Sequence, residues 1–493
     1  MNFSVKIHIG AVALFLILAV STAAQEIGIK IKISARDAVR VEGVVPKGAE
    51  ISKNWSFVRS YADVADLGER IENFRLFDAS GAEISAKKFI AGEYVAESDA
   101  FGFVYDLKIA PPEPPTAAAH VSWLADFGGL LMTGDLLPQN LSGRKTRISF
   151  ELPEGWLVRS SEEPAGENAF SLSNPEKAVF FVGRDLREKT FQVEKTALTL
   201  AVAGEWQFSD EEAAQTAQEI FAEHHKIFAD SPFRRVRIFL LPFPVQTAFD
   251  RWRAETRGST VTIISAPTAF KSNALNRLHE QLRHEIFHLW LPNGVNLSGS
   301  YDWFYEGFTF YQALKTGVRT NQIRFDDFLS VIGRGFDLTE ALTRRRDVSL
   351  IEASERRWQN SSDLIYAKGT VVAFLCDAVL LRESRGKKNL DAVFREVFQK
   401  HRPPAEREDG NEAVLRILKR NAEVAELIEK YVESNAKLDW QNDLNSFGLE
   451  AERISGATVL KVVARPNGRQ KDLLNELGYN QWRKISPKKS DKK

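Results

Sequence analysis

The run His284-Glu285-Ile286-Phe287-His288 constrains this chain more than any other segment in it. On an α-helix, residues four apart lie on one face, one above the other. His284 and His288 can therefore share one metal ion while Glu285 stands beside it. The flanking sequence fits a helix over about 273–290. Leu275, Leu278, Leu282, Ile286 and Leu289 recur at steps of three and four, Asn273 is placed to cap the start, and Pro292-Asn293-Gly294 ends the pattern. Glu306 lies 18 residues beyond His288, in a second apolar helix expected over about 301–314 with Trp303, Phe304, Gly307, Phe308 and Tyr311. A carboxylate among such neighbours needs a partner, because burying it unpaired is costly. A divalent cation held by His284, His288 and Glu306 is such a partner, and zinc is the expected ion, with one position left open for water.

The five-residue pattern alone is not decisive. With eight histidines in 493 residues, a random match arises in roughly one chain in a hundred. The flanking helices carry the rest of the weight. His279-Glu280 is an incomplete upstream copy, with Arg283 where a second histidine would stand. His279 sits about 140° round the helix from His284, so it is expected at the surface without a role.

A third segment, Tyr366-Ala367-Lys368-Gly369-Thr370, joins the metal motif and the run Glu306-Gly307-Phe308-Thr309. Together they resemble the gluzincin zinc metallopeptidases, in particular the glycyl aminopeptidase family and, more distantly, the alanyl aminopeptidase family. The likeness spans about residues 200–400 and is weaker before them. It implies zinc-dependent hydrolysis of peptide bonds, with peptides or proteins as substrates. Glu285 takes the role of general base and acid, and the Tyr366 hydroxyl stabilises the oxyanion. Asp377 falls where such families often carry an aspartate. The chain departs from them on the strand before the motif helix, where a Gly-Gly-Leu-Glu-His-like segment supplies a glutamate for the substrate amine. The stretch Arg257-Gly258-Ser259-Thr260-Val261-Thr262-Ile263 keeps the glycine and lacks the acid. Glu255 is close in sequence only, so peptidase chemistry is implied more firmly than aminopeptidase specificity. The backbone of residues 258–263 is the expected strand against which an extended substrate pairs. An endopeptidase and a non-catalytic peptide-binding protein on the same scaffold are the alternatives. Fewer than 60 residues follow position 440, too few for the PDZ-like domain that many relatives carry.

The rest of the chain frames this core. Residues 1–24 read as a secretory signal, with Lys6, an apolar run from Gly10 to Val20 and the small residues Ser21-Thr22-Ala23-Ala24. That run is too short to span a bilayer, so a secreted or periplasmic location without a stable membrane span is expected. Cys376 is the single cysteine and excludes an intrachain disulfide. Lys plus Arg and Asp plus Glu both total 66, and no basic stripe points to nucleic acid. Residues 25–203 read as an N-terminal β-sandwich, from alternating segments such as 27–34, 103–109, 147–152 and 190–202. Residues 204–440 read as a thermolysin-like catalytic domain with C-terminal helices, and 441–493 as a short final segment with a basic tail. The fold class is therefore a multidomain α+β chain.

Overall fold

The computed structural model describes residues 26–34, 37–47, 52–249 and 251–481. The expected signal segment and the basic tail lie outside them.

The N-terminal part is a β-sandwich, as expected. In its strand Ile27–Ile33 every isoleucine is buried and the residues between them are more exposed, the period-two signature of a sheet with one face on a core. An eight-stranded sheet containing this strand faces a three-stranded sheet (Asn54–Ser56, Glu93–Ala96, Ala86–Ile90) and a four-stranded sheet across one hydrophobic core. Two strands of the four-stranded sheet, Gly128–Met132 and Val179–Gly183, are buried on both faces. Their unbroken apolar character has a physical use. Leu131, Phe180 and Val182 enter the sandwich core. Leu130, Met132, Val179 and Phe181 pack in a second core with Phe239, Leu241 and Ile264 of the following sheet.

That following sheet has five strands in the order Arg187–Val193, Thr196–Val202, Arg235–Pro242, Thr260–Ser265, Trp252–Arg257. It thus begins before residue 203, and residues 190–202 form a hairpin within it. The helix Asp210–Phe228 makes the crossover between two parallel strands. Its start carries the capping box foreseeable from Ser209 and Glu212. Strand Thr260–Ser265 lies inside the sheet, paired on both sides, so it has no free edge to offer. The edges are Arg187–Val193 and, next to Thr260–Ser265, Trp252–Arg257. This corrects the expectation that residues 258–263 pair with substrate.

Beyond this sheet the chain is almost wholly helical: Lys271–Phe287, Thr309–Arg319, Phe325–Thr343, Ser362–Glu383, Leu390–His401, Gly410–Leu418 and Ala422–Tyr431. The helix Ser362–Glu383 is buried on nearly all sides. The helical stretch 357–383 is long and apolar enough to cross a membrane, yet it is the core around which the other helices pack. The final hairpin, Leu449–Ile454 with Ala457–Val462, is fixed to the helix Phe325–Thr343. Asp337 there accepts hydrogen bonds from the Thr458 backbone amide (2.8 Å) and hydroxyl (2.6 Å).

Candidate metal centre and active site

The motif helix begins at Lys271 after Phe270, with no side-chain cap. Asn273 therefore lies inside the helix and does not cap it, a correction to the sequence expectation. The regular helix ends at Phe287, and His288 is its helical C-terminal cap. His284 and His288 are still one turn apart, and their Nε2 atoms approach to 3.0 Å. Glu306 Oε2 lies 3.2 Å from His284 Nε2 and 3.4 Å from His288 Nε2. All three side chains are buried.

Glu306 reaches this point because its helix is not regular. Residues Trp303–Phe308 form a π-helical stretch before the α-helix Thr309–Arg319. The wider turn re-aims side chains and is common at functional sites. The helix also runs past the expected end at 314. Two glycines then bring the tyrosine helix Ser362–Glu383 against it. A Cβ on Gly307 would meet Gly369 Cα at 2.6 Å, and a Cβ on Gly369 would meet Gly307 Cα at 2.8 Å. Only two glycines permit so close a backbone crossing. Tyr366, one turn before Gly369, consequently donates to Glu306 Oε2 at 2.6 Å. Burial, reinforced by the Glu306 charge, raises the Tyr366 pKa well above its usual value, so the hydroxyl keeps its proton.

Arg357 was not foreseeable from the sequence. Its Nη1 lies 2.8 Å from Glu306 Oε1 and 2.9 Å from Asp302 Oδ1, holding the back of the Glu306 carboxylate while Oε2 faces the histidines. Burial pushes the Glu306 pKa up. The Arg357 charge, then His288, and hydrogen bonds from both histidines outweigh it and hold the pKa well below the usual range.

The three donors fit a metal. His288 Nδ1 lies 2.9 Å from the Leu291 carbonyl. A carbonyl only accepts, so in the neutral ring the proton sits on Nδ1 and the Nε2 lone pair faces His284 Nε2 and the Glu306 carboxylate. Acceptors converging on one point are satisfied by a positive charge between them, either a proton on a histidine nitrogen or a metal ion. Burial lowers the His288 pKa, but the Glu306 charge and hydrogen bond more than offset it and hold it above its ordinary value. The pocket thus favours positive charge. Two imidazole nitrogens and one carboxylate oxygen form a donor set suited to zinc.

Glu285 stands beside these ligands, and Thr256 of the edge strand fixes it. Thr256 Oγ1 lies 2.8 Å from Glu285 Oε2 and 2.9 Å from the Glu285 carbonyl. Asn293, expected only to stop the helix, ties helix to strand. Its Nδ2 donates to the carbonyls of Thr256 (2.9 Å) and His288 (3.1 Å), and its Oδ1 accepts from the Gly258 amide (2.9 Å).

No protein-family profile and no curated protein matches the chain. Solved structures do. An aminopeptidase N family protein from Idiomarina loihiensis superposes with a TM-score of 0.73 at 15% identity, over 87% of this chain and 79% of that one. An M1 zinc metallopeptidase from Deinococcus radiodurans superposes with a TM-score of 0.55 at 12% identity, over 84% of this chain and 95% of that one. A mutant of the Deinococcus protein bound to a Tyr-Ser-Ala substrate matches with a TM-score of 0.55 at 13% identity and the same coverage. The fold is that of the M1 zinc metallopeptidases. It is the gluzincin, aminopeptidase-like architecture that the sequence resemblance implies.

In this M1-type fold the donors lie where two grooves meet, each of about 540 Å³. The edge strand runs past both. Thr256 and Arg257 border only the first groove, Trp252 and Arg253 only the second, and Ala254 both. Glu255 lines the first groove. An acidic residue thus borders the groove from the preceding strand, because the edge strand is 252–257. Its carboxylate is heavily engaged. Oε1 lies 2.6 Å from the Tyr61 hydroxyl and 3.0 Å from Arg257 Nε, and Oε2 lies 2.8 Å from His120 Nδ1. Burial raises the Glu255 pKa, but the Arg257 charge, followed by His120 and Tyr61, overcomes this and lowers it to about 2. Tyr61 and His120 come from the N-terminal part, so both domains build this groove. Trp358, 45% exposed, borders both grooves, with its ring 5.8 Å from that of Tyr61.

Three other sequence readings find their places. His279 is 4% exposed, with neither ring nitrogen hydrogen-bonded, which corrects its assignment to the surface: the helices packed on this side of the motif helix bury it. His224, given no role, is buried and its Nε2 lies 2.9 Å from the Arg283 carbonyl. Asp377 lies away from the donors, where it binds Lys315 Nζ and the Tyr311 hydroxyl, each at 2.6 Å, and serves the core.

Proposed function

We propose that the protein is a zinc-dependent peptidase acting as an aminopeptidase. The observation that carries this is the convergence of His284, His288 and Glu306 beside Glu285 and Tyr366, in a cleft of an M1-type fold. When bound by the three ligands, zinc supplies Lewis acidity toward a carbonyl oxygen and lowers the pKa of water. Glu285, oriented by Thr256, accepts the proton of the attacking water and returns it to the leaving amine. Tyr366 keeps its proton and donates to the developing oxyanion. Substrate backbone pairs with the edge strand Trp252–Arg257, as a sheet edge receives an added strand. Glu255 supplies negative charge for the substrate's free amine in the first groove. The signal-like segment 1–24 supports a secreted or periplasmic location.

A second reading, an endopeptidase with the same chemistry, has one specific observation in its favour. Glu255 is already bound by Arg257, His120 and Tyr61, so an amine must compete for it. Digestion of a mixed peptide library, read by mass spectrometry with and without a chelator, separates the two. Chelator-sensitive loss of single N-terminal residues is expected, and internal cuts would replace the aminopeptidase reading. In the Glu285→Gln variant, turnover should fall by roughly 10²–10⁴-fold with zinc retained. Absence of turnover in the zinc-loaded native protein would sink the enzyme altogether.

A further inference from the structure

Two arginines of the second groove carry guanidinium nitrogens that no group among the described residues hydrogen-bonds. Arg283, on the motif helix next to His284, lines it and is 5% exposed, with its Nε unpartnered and no ion pair. Arg346, from the turn after the helix Phe325–Thr343, also lines it. A buried Nη1 of Arg346 has no partner, and this side chain too makes no ion pair. Of the acids that line the groove, Asp63, Glu280 and Asp363 are exposed and Glu285 is buried beside the metal donors; Glu280 acts on Arg283 through its charge, yet none of the four forms an ion pair with either arginine. A guanidinium withdrawn from water without a counter-charge is costly, and its planar fork matches a carboxylate through paired hydrogen bonds.

We propose that the second groove is a carboxylate-binding subsite, in which Arg283 and Arg346 receive a carboxylate on the C-terminal side of the scissile bond of a short peptide. This rests on the peptidase reading above. Glu255 lies in the first groove, so a peptide with its amine there runs its C-terminal part into the second. An extended strand advances roughly 3.3 Å per residue. A carboxylate two or three residues past the cut therefore lies about 7–10 Å from it. The C-terminus of a short peptide and an acidic side chain present the same chemistry.

The test compares Ala-Ala-Ala as free acid, Ala-Ala-Ala amide and Ala-Ala-Glu amide on the full-length zinc-loaded protein. The free acid should be cleaved with a kcat/KM roughly ten- to hundredfold above that of its amide, the range of a hydrogen-bonded charge pair. In Arg346→Met and in Arg283→Met that ratio should collapse toward one, with melting temperature and zinc content measured alongside because Arg283 is buried next to a metal ligand. Rescue by the glutamate amide assigns the subsite to side chains, and lack of rescue assigns it to chain termini; either supports the proposal. Equal rates for acid and amide in the native protein, or a ratio unchanged in both variants, would overturn it. Should no peptide be cleaved, the peptidase reading fails separately. Calorimetric binding of the same peptides to the Glu285→Gln protein then decides the subsite: tighter binding of the acid supports it, and equal affinities overturn it.

Discussion

The two grooves that meet at the metal donors handle charge in opposite ways. In the first, Glu255 is matched by the chain itself, with Arg257 beside it on the strand and His120 and Tyr61 reaching across from the N-terminal part. In the second, Arg283 and Arg346 have no such partners. Buried charges that satisfy each other hold domains together, and a ligand amine there must share Glu255 with the partners it already has, whereas a buried charge without a counter-ion is costly until a ligand answers it. The first groove thus doubles as a seam between domains, and the second is where the chain leaves room for something else.

Three perturbations test this contrast. The largest effect should come from Tyr366→Phe, because Tyr366 borders both grooves. Loss of an oxyanion donor should lower kcat by roughly 10²–10³-fold, equally for free, blocked, acidic and amidated peptides, with zinc content kept. A loss that depends on the substrate's ends would mean that Tyr366 serves one groove. Next in size is Glu255→Gln, a test of the seam. The pKa of Glu255 is held at about 2 against an ordinary 4.5. A depressed carboxylate pKa contributes stability above pH 4.5 that is lost as the pH falls toward 2. The contribution is on the order of 3 kcal/mol at neutral pH. In urea unfolding the variant should be weaker by about that order at pH 7, and the gap to the native protein should narrow as the pH drops through 4 and 3. A gap indifferent to pH would show that the carboxylate does not carry the seam. The smallest effect is expected from Thr256→Val. Losing the hydroxyl that orients Glu285 removes one hydrogen bond to a charged group and should cost roughly tenfold in kcat, with little change in KM. A change confined to KM would place Thr256 in substrate binding only.

Much of this was legible in the sequence wherever a local rule applies. The i, i+4 histidines and the intervening glutamate need only helix geometry. The alternation in Ile27–Ile33 and the three- and four-residue steps of the motif helix gave elements of the right type, with ends displaced by a few residues. The errors share a cause. Residues 252–257, Trp-Arg-Ala-Glu-Thr-Arg, alternate only faintly, because small Ala254 and polar Thr256 occupy the core-facing positions between charged residues. Matching Gly258 to the family's glycine segment therefore places the substrate strand at 258–263, one strand too late. His279 reads as a surface residue on a helix wheel, and only the packing of neighbouring helices buries it. Arg357 and Trp358 sit in a polar stretch with no periodicity, and no local signal announced them.

By itself the sequence determined the donor types, their spacing on one helix face and the general class of fold, because hydrophobic periodicity and side-chain chemistry act over a turn or a strand. Only the tertiary structure decided which distant residues meet. Gly307 against Gly369 sets how closely two helices cross, and so whether Tyr366 can touch Glu306 across 60 positions of chain. Sheet order, not composition, put Glu255 on an edge strand. Which buried charges find a partner, as Glu255 does and Arg283 does not, depends on burial and distance in three dimensions, and neither is encoded in any stretch of a few residues.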